Sequence, residues 1–138
     1  MEADRRLEGF ARRMGRLERE LNDLRSTVLE RLTPGPWQTP TLLNSWVNTG
    51  GAWTPARYRH EPGGVVRLEG LIQNGTTTSG TDLFVIAAGF RPATGHRTTQ
   101  YSNTADDSVA VFIQSDGTVQ ISGTAGTLIG LNTTFAVL

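Results

Sequence analysis

Seven apolar residues recur at alternating spacings of three and four near the N-terminus: Leu7, Phe10, Met14, Leu17, Leu21, Leu24 and Val28. This heptad seam constrains the chain more than any other feature, because a helix with so narrow a stripe cannot bury it alone. The seam stops at Thr33-Pro34-Gly35-Pro36, where the prolines end any helix. The pattern predicts an oligomeric coiled-coil stalk over 1–33, a Pro-Gly-Pro linker at 34–36 and a separate domain over 37–138.

With Leu7 at heptad position a, that position holds Leu7, Met14, Leu21 and Val28, and position d holds Phe10, Leu17 and Leu24. The next d falls on Arg31, where the seam ends. Gly9 and Gly15 occupy outward positions c and b, and each costs an isolated helix about 1 kcal/mol relative to Ala. Partner chains are therefore expected to supply the stability. Arg13 and Glu20 at g face Glu18 and Arg25 at e of a parallel neighbour, opposite in sign both times. Such pairs select orientation more than they stabilise. Packing rules leave two and three strands open. The run Arg13-Met14-Gly15-Arg16-Leu17-Glu18 resembles the Arg-apolar-x-x-apolar-Glu signature of short trimeric coiled coils. That resemblance implies a parallel homotrimer in which Arg13 reaches Glu18 of the next chain and covers the seam with its stem.

Charge excludes more than it proposes. Thirteen basic residues, all Arg, balance thirteen acids, and neither half of the chain is a polyelectrolyte, so no nucleic-acid partner is expected. Cysteine is absent, which removes disulfides and thiolate metal sites. No stretch approaches the roughly 18 apolar residues of a membrane span. The N-terminus is amphipathic and unlike a signal peptide, so synthesis in a cytoplasm without export is expected, with no membrane insertion.

Beyond Trp37 the chain turns to Gly, Thr, Asn and short β-branched runs. Strands are expected near 41–47, 53–60, 64–73, 83–88, 108–114, 118–122 and 127–137. Val66, Leu68 and Ile72 share one face, interrupted by Gly70, while Val65, Arg67 and Glu69 point the other way. Val109, Val111 and Ile113 alternate likewise, and Ser115-Asp116-Gly117 turns the chain back into Val119 and Ile121. The end, Phe135-Ala136-Val137-Leu138, reads as a docked final strand. About a hundred residues of this rhythm form a β-sandwich or small barrel, so the fold class is mainly β with an N-terminal α-helix.

The run Leu42-Leu43-Asn44-Ser45-Trp46, then Trp53, Pro55 and Tyr58, resembles the opening of a head domain common in bacteriophage tail and fibre proteins. Val65-Val66-x-Leu68-x-Gly70-Leu71-Ile72, Phe84, Ala88-Gly89-Phe90-Arg91-Pro92, Ile113-x-x-Asp116-Gly117-Thr118-Val119 and Leu128-x-x-Leu131-x-x-x-x-Phe135 continue it in order. Ser45 stands where Gly is usual, and Ala87 where a Leu-Pro pair often precedes the Ala-Gly motif. The resemblance implies a trimeric head on a trimeric stalk, part of a virion. Such a head displays loops for host-surface attachment, commonly to saccharide, and the stalk helix joins it to other virion proteins. The alternatives are a capsid-decorating or head fibre with a purely structural role, and the fibre tip of a phage-derived bacterial device.

Enzymatic chemistry is not expected. The chain has no nucleophile elbow, no histidine-rich metal spacing and no phosphate loop, and it calls for no cofactor. Of its two histidines, His96 reads as a surface residue in a polar loop, and Asp106-Asp107 as turn residues without a surrounding ligand pattern. Trp46 reads as core, Trp37 as packing at the stalk–head junction and Trp53 as packing. The segment Ala93 to Ser108 is expected to be a long exposed loop and the best ligand candidate. It holds His96, Arg97, Gln100, Tyr101 and Asp106, an aromatic platform among planar donors and acceptors. Asn74 to Asp82 is its smaller neighbour.

Overall fold

The computed structural model describes residues 2–137; Met1, Leu138 and the Arg31 side chain lie outside the described residues. The chain divides into two compact units, 1–33 and 34–138.

The first unit is one helix, α1, Glu2–Leu32. Glu2 and Asp4 in its first turn suit the positive end of the helix dipole. At the other end the Thr33 hydroxyl donates to the Leu29 carbonyl at 2.7 Å, and Pro34 prevents a further turn. All seven seam residues share one face and stand exposed, Leu17 at 57% and Leu24 at 61%. Among the described residues the helix carries one ion pair, Glu2–Arg6 at 3.9 Å, so Arg13 and Glu18 find no charged partner within the chain.

Among its described residues the second unit holds eight strands: β1 Val47–Asn48, β2 Arg57–Glu61, β3 Val65–Gln73, β4 Asp82–Val85, β5 His96–Tyr101, β6 Ser108–Ile113, β7 Thr118–Ser122 and β8 Leu128–Ala136. They form two four-stranded antiparallel sheets. In the first, β3 pairs β8 along its whole length and takes β1 and β2 as its other partners. The second runs β4-β7-β6-β5. The alternation expected for β3 is present, with Val66, Leu68 and Ile72 buried. Their side chains meet Val111, Ile113, Val119 and Ile121 of the second sheet in one apolar cluster. The β6–β7 turn also follows the sequence. Asp116 Oδ1 accepts the Thr118 N–H at 2.9 Å, and Gly117 takes the left-handed φ of +92°.

Three expected elements differ. Residues 41–46 are not a strand, because Asn44 and Ser45 turn the chain with φ of +54° and +69°. Ser45 therefore occupies the left-handed conformation that the usual Gly adopts freely. The strand expected from Trp53 begins only at Arg57, because Gly50, Gly51 and Pro55 hold 49–56 as a loop. The long loop expected over 93–108 contains β5, paired in full register with β6, from His96 opposite Ile113 to Tyr101 opposite Ser108. The inward set of β5 is His96, Thr98 and Gln100, so the strand is polar on both faces and shows no hydrophobic alternation.

That polar inward set has a structural task. Between β5 and β8 the backbone makes one isolated bridge, Ser102 with Ile129. Side chains close the rest. The buried Gln100 amide accepts the Asn132 N–H at 2.9 Å and donates to the Asn132 carbonyl at 3.3 Å, as a paired strand would. His96 Nε2 lies 3.1 Å from the Thr133 hydroxyl, and the buried Ser102 hydroxyl donates to the Leu128 carbonyl at 2.7 Å. Each bond satisfies groups that burial would otherwise leave costly.

Candidate functional site

A groove lies where the 49–56 loop, β3, β5 and β8 meet. It is open, about 570 Å³, and its lining includes Trp53, Arg67, Glu69, Tyr101, Gly130 and Asn132. Trp53 is 62% exposed, which corrects the expectation that it packs. The local sequence explains its position. Gly50 and Gly51, at φ of +78° and +61°, form a tight turn in which the Trp53 N–H returns to the Gly50 carbonyl at 3.2 Å. The loop is then fixed to β3 by the Leu71 N–H donating to the Thr54 carbonyl at 2.9 Å, and to β1 by the Ala56 N–H donating to Asn48 Oδ1 at 2.8 Å.

Tyr101, the last residue of β5, is 48% exposed and supplies a second aromatic ring to the lining. Gly130 leaves space beside it, since a Cβ there would lie 3.3 Å from Tyr101 Cβ. One connected polar network runs through the site. Arg57 Nε donates to Glu69 Oε1 at 2.8 Å, Arg67 Nε to Glu69 Oε2 at 3.2 Å, and Arg67 Nη2 to Asn132 Oδ1 at 3.3 Å. Asn132 is the residue whose backbone Gln100 holds. The network fixes planar donors and acceptors beside exposed aromatic faces, the arrangement that grips the polar edges and apolar face of a sugar ring.

Burial by itself pushes the Glu69 carboxyl up, but the hydrogen bonds and charges of Arg57 and Arg67 reverse this and hold it below its ordinary 4.5. A carboxyl depressed in the folded state stabilises the protein above the unfolded value, and that contribution is lost as pH falls through the folded one. Glu69→Gln is therefore expected to flatten the acid limb of stability. In urea unfolding the native chain loses more between about pH 7 and pH 3 than the variant does. Equal losses would mean that the carboxylate's pairing is immaterial.

Of the ligand residues expected from the sequence, Tyr101 and Gln100 line the groove, Gln100 as a buried support. His96 is half-buried and engaged with Thr133, which corrects its reading as a surface residue. Arg97 points outward with its guanidinium 5.0 Å from the Phe112 ring centre, and Asp106 is exposed in the 102–107 turn; neither lines the groove. Trp46 is buried as expected, its indole N–H donating to the Thr76 carbonyl at 3.1 Å. Trp37 stacks on Arg57 and Arg59, each guanidinium 4.1 Å from its ring centre. Among the described residues no three His, Asp or Glu side chains converge as a metal site, and no helix is long and apolar enough to cross a membrane.

No protein-family model matches the chain, and no curated protein matches it. Among solved structures it is similar to the crystal structure of the receptor binding protein of Listeria phage PSA, with a TM-score of 0.72. The likeness covers 91% of this chain and 77% of that one at 13% sequence identity. At that identity it is a likeness of fold: the chain has the architecture of a phage receptor binding protein, mainly β with one N-terminal helix.

Proposed function

We propose that this chain is a virion fibre protein, a parallel homotrimer whose head attaches the particle to host-surface saccharide through the Trp53–Tyr101 groove. The observation that carries the reading is Trp53, held 62% exposed by a glycine turn at the edge of a groove lined with ordered planar polar groups. An indole kept out of the core gains nothing for stability, whereas stacking on a sugar face uses it. The phage receptor binding protein of like fold supports placing the role on a virion. The exposed heptad seam supports the trimer, and three identical grooves convert weak contacts into avidity. The role is binding without catalysis, since the groove's carboxylate, Glu69, is committed to two guanidiniums.

Trp53→Ala tests the groove on an immobilised glycan panel and on host cell-wall fragments. Binding by the full chain is expected to fall about tenfold or more, because each groove loses its main stacking surface. The thermal midpoint is expected to stay within about 2 °C, as the removed side chain lies outside the core. Undiminished glycan binding by the variant would reject the groove. Labelled-antibody microscopy of virions separates attachment from decoration: label at the tail supports host attachment, and label over the capsid surface rejects it.

A further inference from the structure

In the heptad register of α1, positions b, c and f point away from the seam. Between Arg5 and Arg19 these positions hold four arginines, Arg5, Arg12, Arg16 and Arg19, against one acid, Glu8. Between Asn22 and Glu30 they hold two acids and no base. The segregation does little for the helix itself. Arg5 in the first turn runs against the macrodipole, Arg12 reaches only the Glu8 carbonyl at 3.4 Å, and among the described residues none of the four arginines makes an ion pair. Both helix glycines fall in the same basic half. A Cβ at Gly9 or Gly15 would meet nothing within 4 Å, so neither glycine is required by packing within the chain. Around Gly15 lies a shallow cup of about 630 Å³, floored by Ala11 and Gly15, rimmed by Arg12, Arg13, Arg16 and Arg19, and without an acid in its lining.

We infer that the outward basic half of the stalk is a docking face for an acidic helical segment of a neighbouring protein, whose backbone seats over Gly15. The inference rests on the coiled-coil trimer proposed above, which leaves this face free. The missing side chain at outward Gly15 allows a second helix to approach closely, to about 8 Å. The arginines, repeating at f about 10 Å apart, then meet carboxylates on its flanks. Charge favours a protein over a nucleic acid. Residues 1–32 carry eight arginines and seven acids, so the helix has no long-range positive field, only a local stripe.

The test uses the full chain and a fluorescein-labelled helical peptide of about 20 residues with glutamates along one face, read by anisotropy at low salt. Arg16→Glu/Arg19→Glu is expected to weaken binding about tenfold. Gly15→Leu is expected to weaken it about fivefold while raising the thermal midpoint of the helix, because Leu is the better helix former. Unchanged affinity in either variant overturns the proposal, as does equal or tighter binding of a single-stranded oligonucleotide of the same length. Light scattering alongside separates the two readings. A trimer that ignores the peptide overturns the docking face alone, a trimer that doubles its mass without peptide shows the face taken by a second copy, and a monomer overturns assembly and face together.

Discussion

Leu17→Asp is expected to take the protein from a particle of three times 15.0 kDa to one of 15.0 kDa in light scattering. Leu17 lies at d in the middle of the seam, with Met14 and Leu21 on either side at a, and all three stand exposed in the single chain. In the proposed trimeric stalk each such side chain would gain about 1.5 to 3 kcal/mol from burial. Substitution removes that at three equivalent positions and brings three carboxylates to one level of an apolar core, where each charge costs several kcal/mol. The freed helix, with Gly9 and Gly15 in its interior, is marginal alone, so helical circular dichroism falls with the mass. The head keeps its own transition because its core is internal to 34–138. Ser26→Asp, at outward position f, leaves the mass unchanged. If Leu17→Asp remains a trimer, the seam is not what assembles the chains.

Gly70→Ala is expected to cost the head about 3 to 5 kcal/mol, or to prevent its folding, as read from urea unfolding. Two independent faults coincide there. Gly70 has φ of +142°, a conformation L side chains rarely adopt. A Cβ at this position would also lie 2.5 Å from Ala56 Cα and 2.8 Å from the Pro55 carbonyl carbon. Those are backbone atoms of a loop tied to β3 on both sides of the contact, so no rotamer change relieves it. Relief requires lifting the loop, which also displaces Trp53 and the groove. Gly80→Ala separates the faults, since Gly80 has φ of +84° and open space where its Cβ would sit. It is expected to cost only the left-handed penalty of about 1 to 2 kcal/mol. Similar losses in both variants would show that the Ala56 contact is soft.

The heptad seam, the alternation in β3 and β6 and the Asp116-Gly117 turn were legible in the sequence because each rests on local periodicity or turn chemistry. β5 was not, because its inward His96 and Gln100 bond to β8, and Thr98 to Gln100, instead of joining the apolar core. A polar strand and a polar loop have the same composition. Trp53 was misread for the opposite reason: an apolar side chain predicts burial, and only the Gly50-Gly51 turn shows it turned outward. The groove combines residues from 53 to 132, and nothing in a linear reading brings Trp53 beside Tyr101 and Asn132. Ser45 carried a usable signal, since a non-glycine at a position where Gly is usual coincides with a strained turn.

The Gln100 amide has a consequence for how such a head diversifies. β5 and β8 are joined mainly by side chains, while among the described residues the other neighbouring strands are joined by backbone ladders. In the proposed attachment role, replacing Gln100 or Asn132 alters the width and chemistry of the groove, while the registers that define the architecture reside in the backbone ladders. Groove chemistry and framework are thus set by different residues, which accords with a like fold at 13% identity.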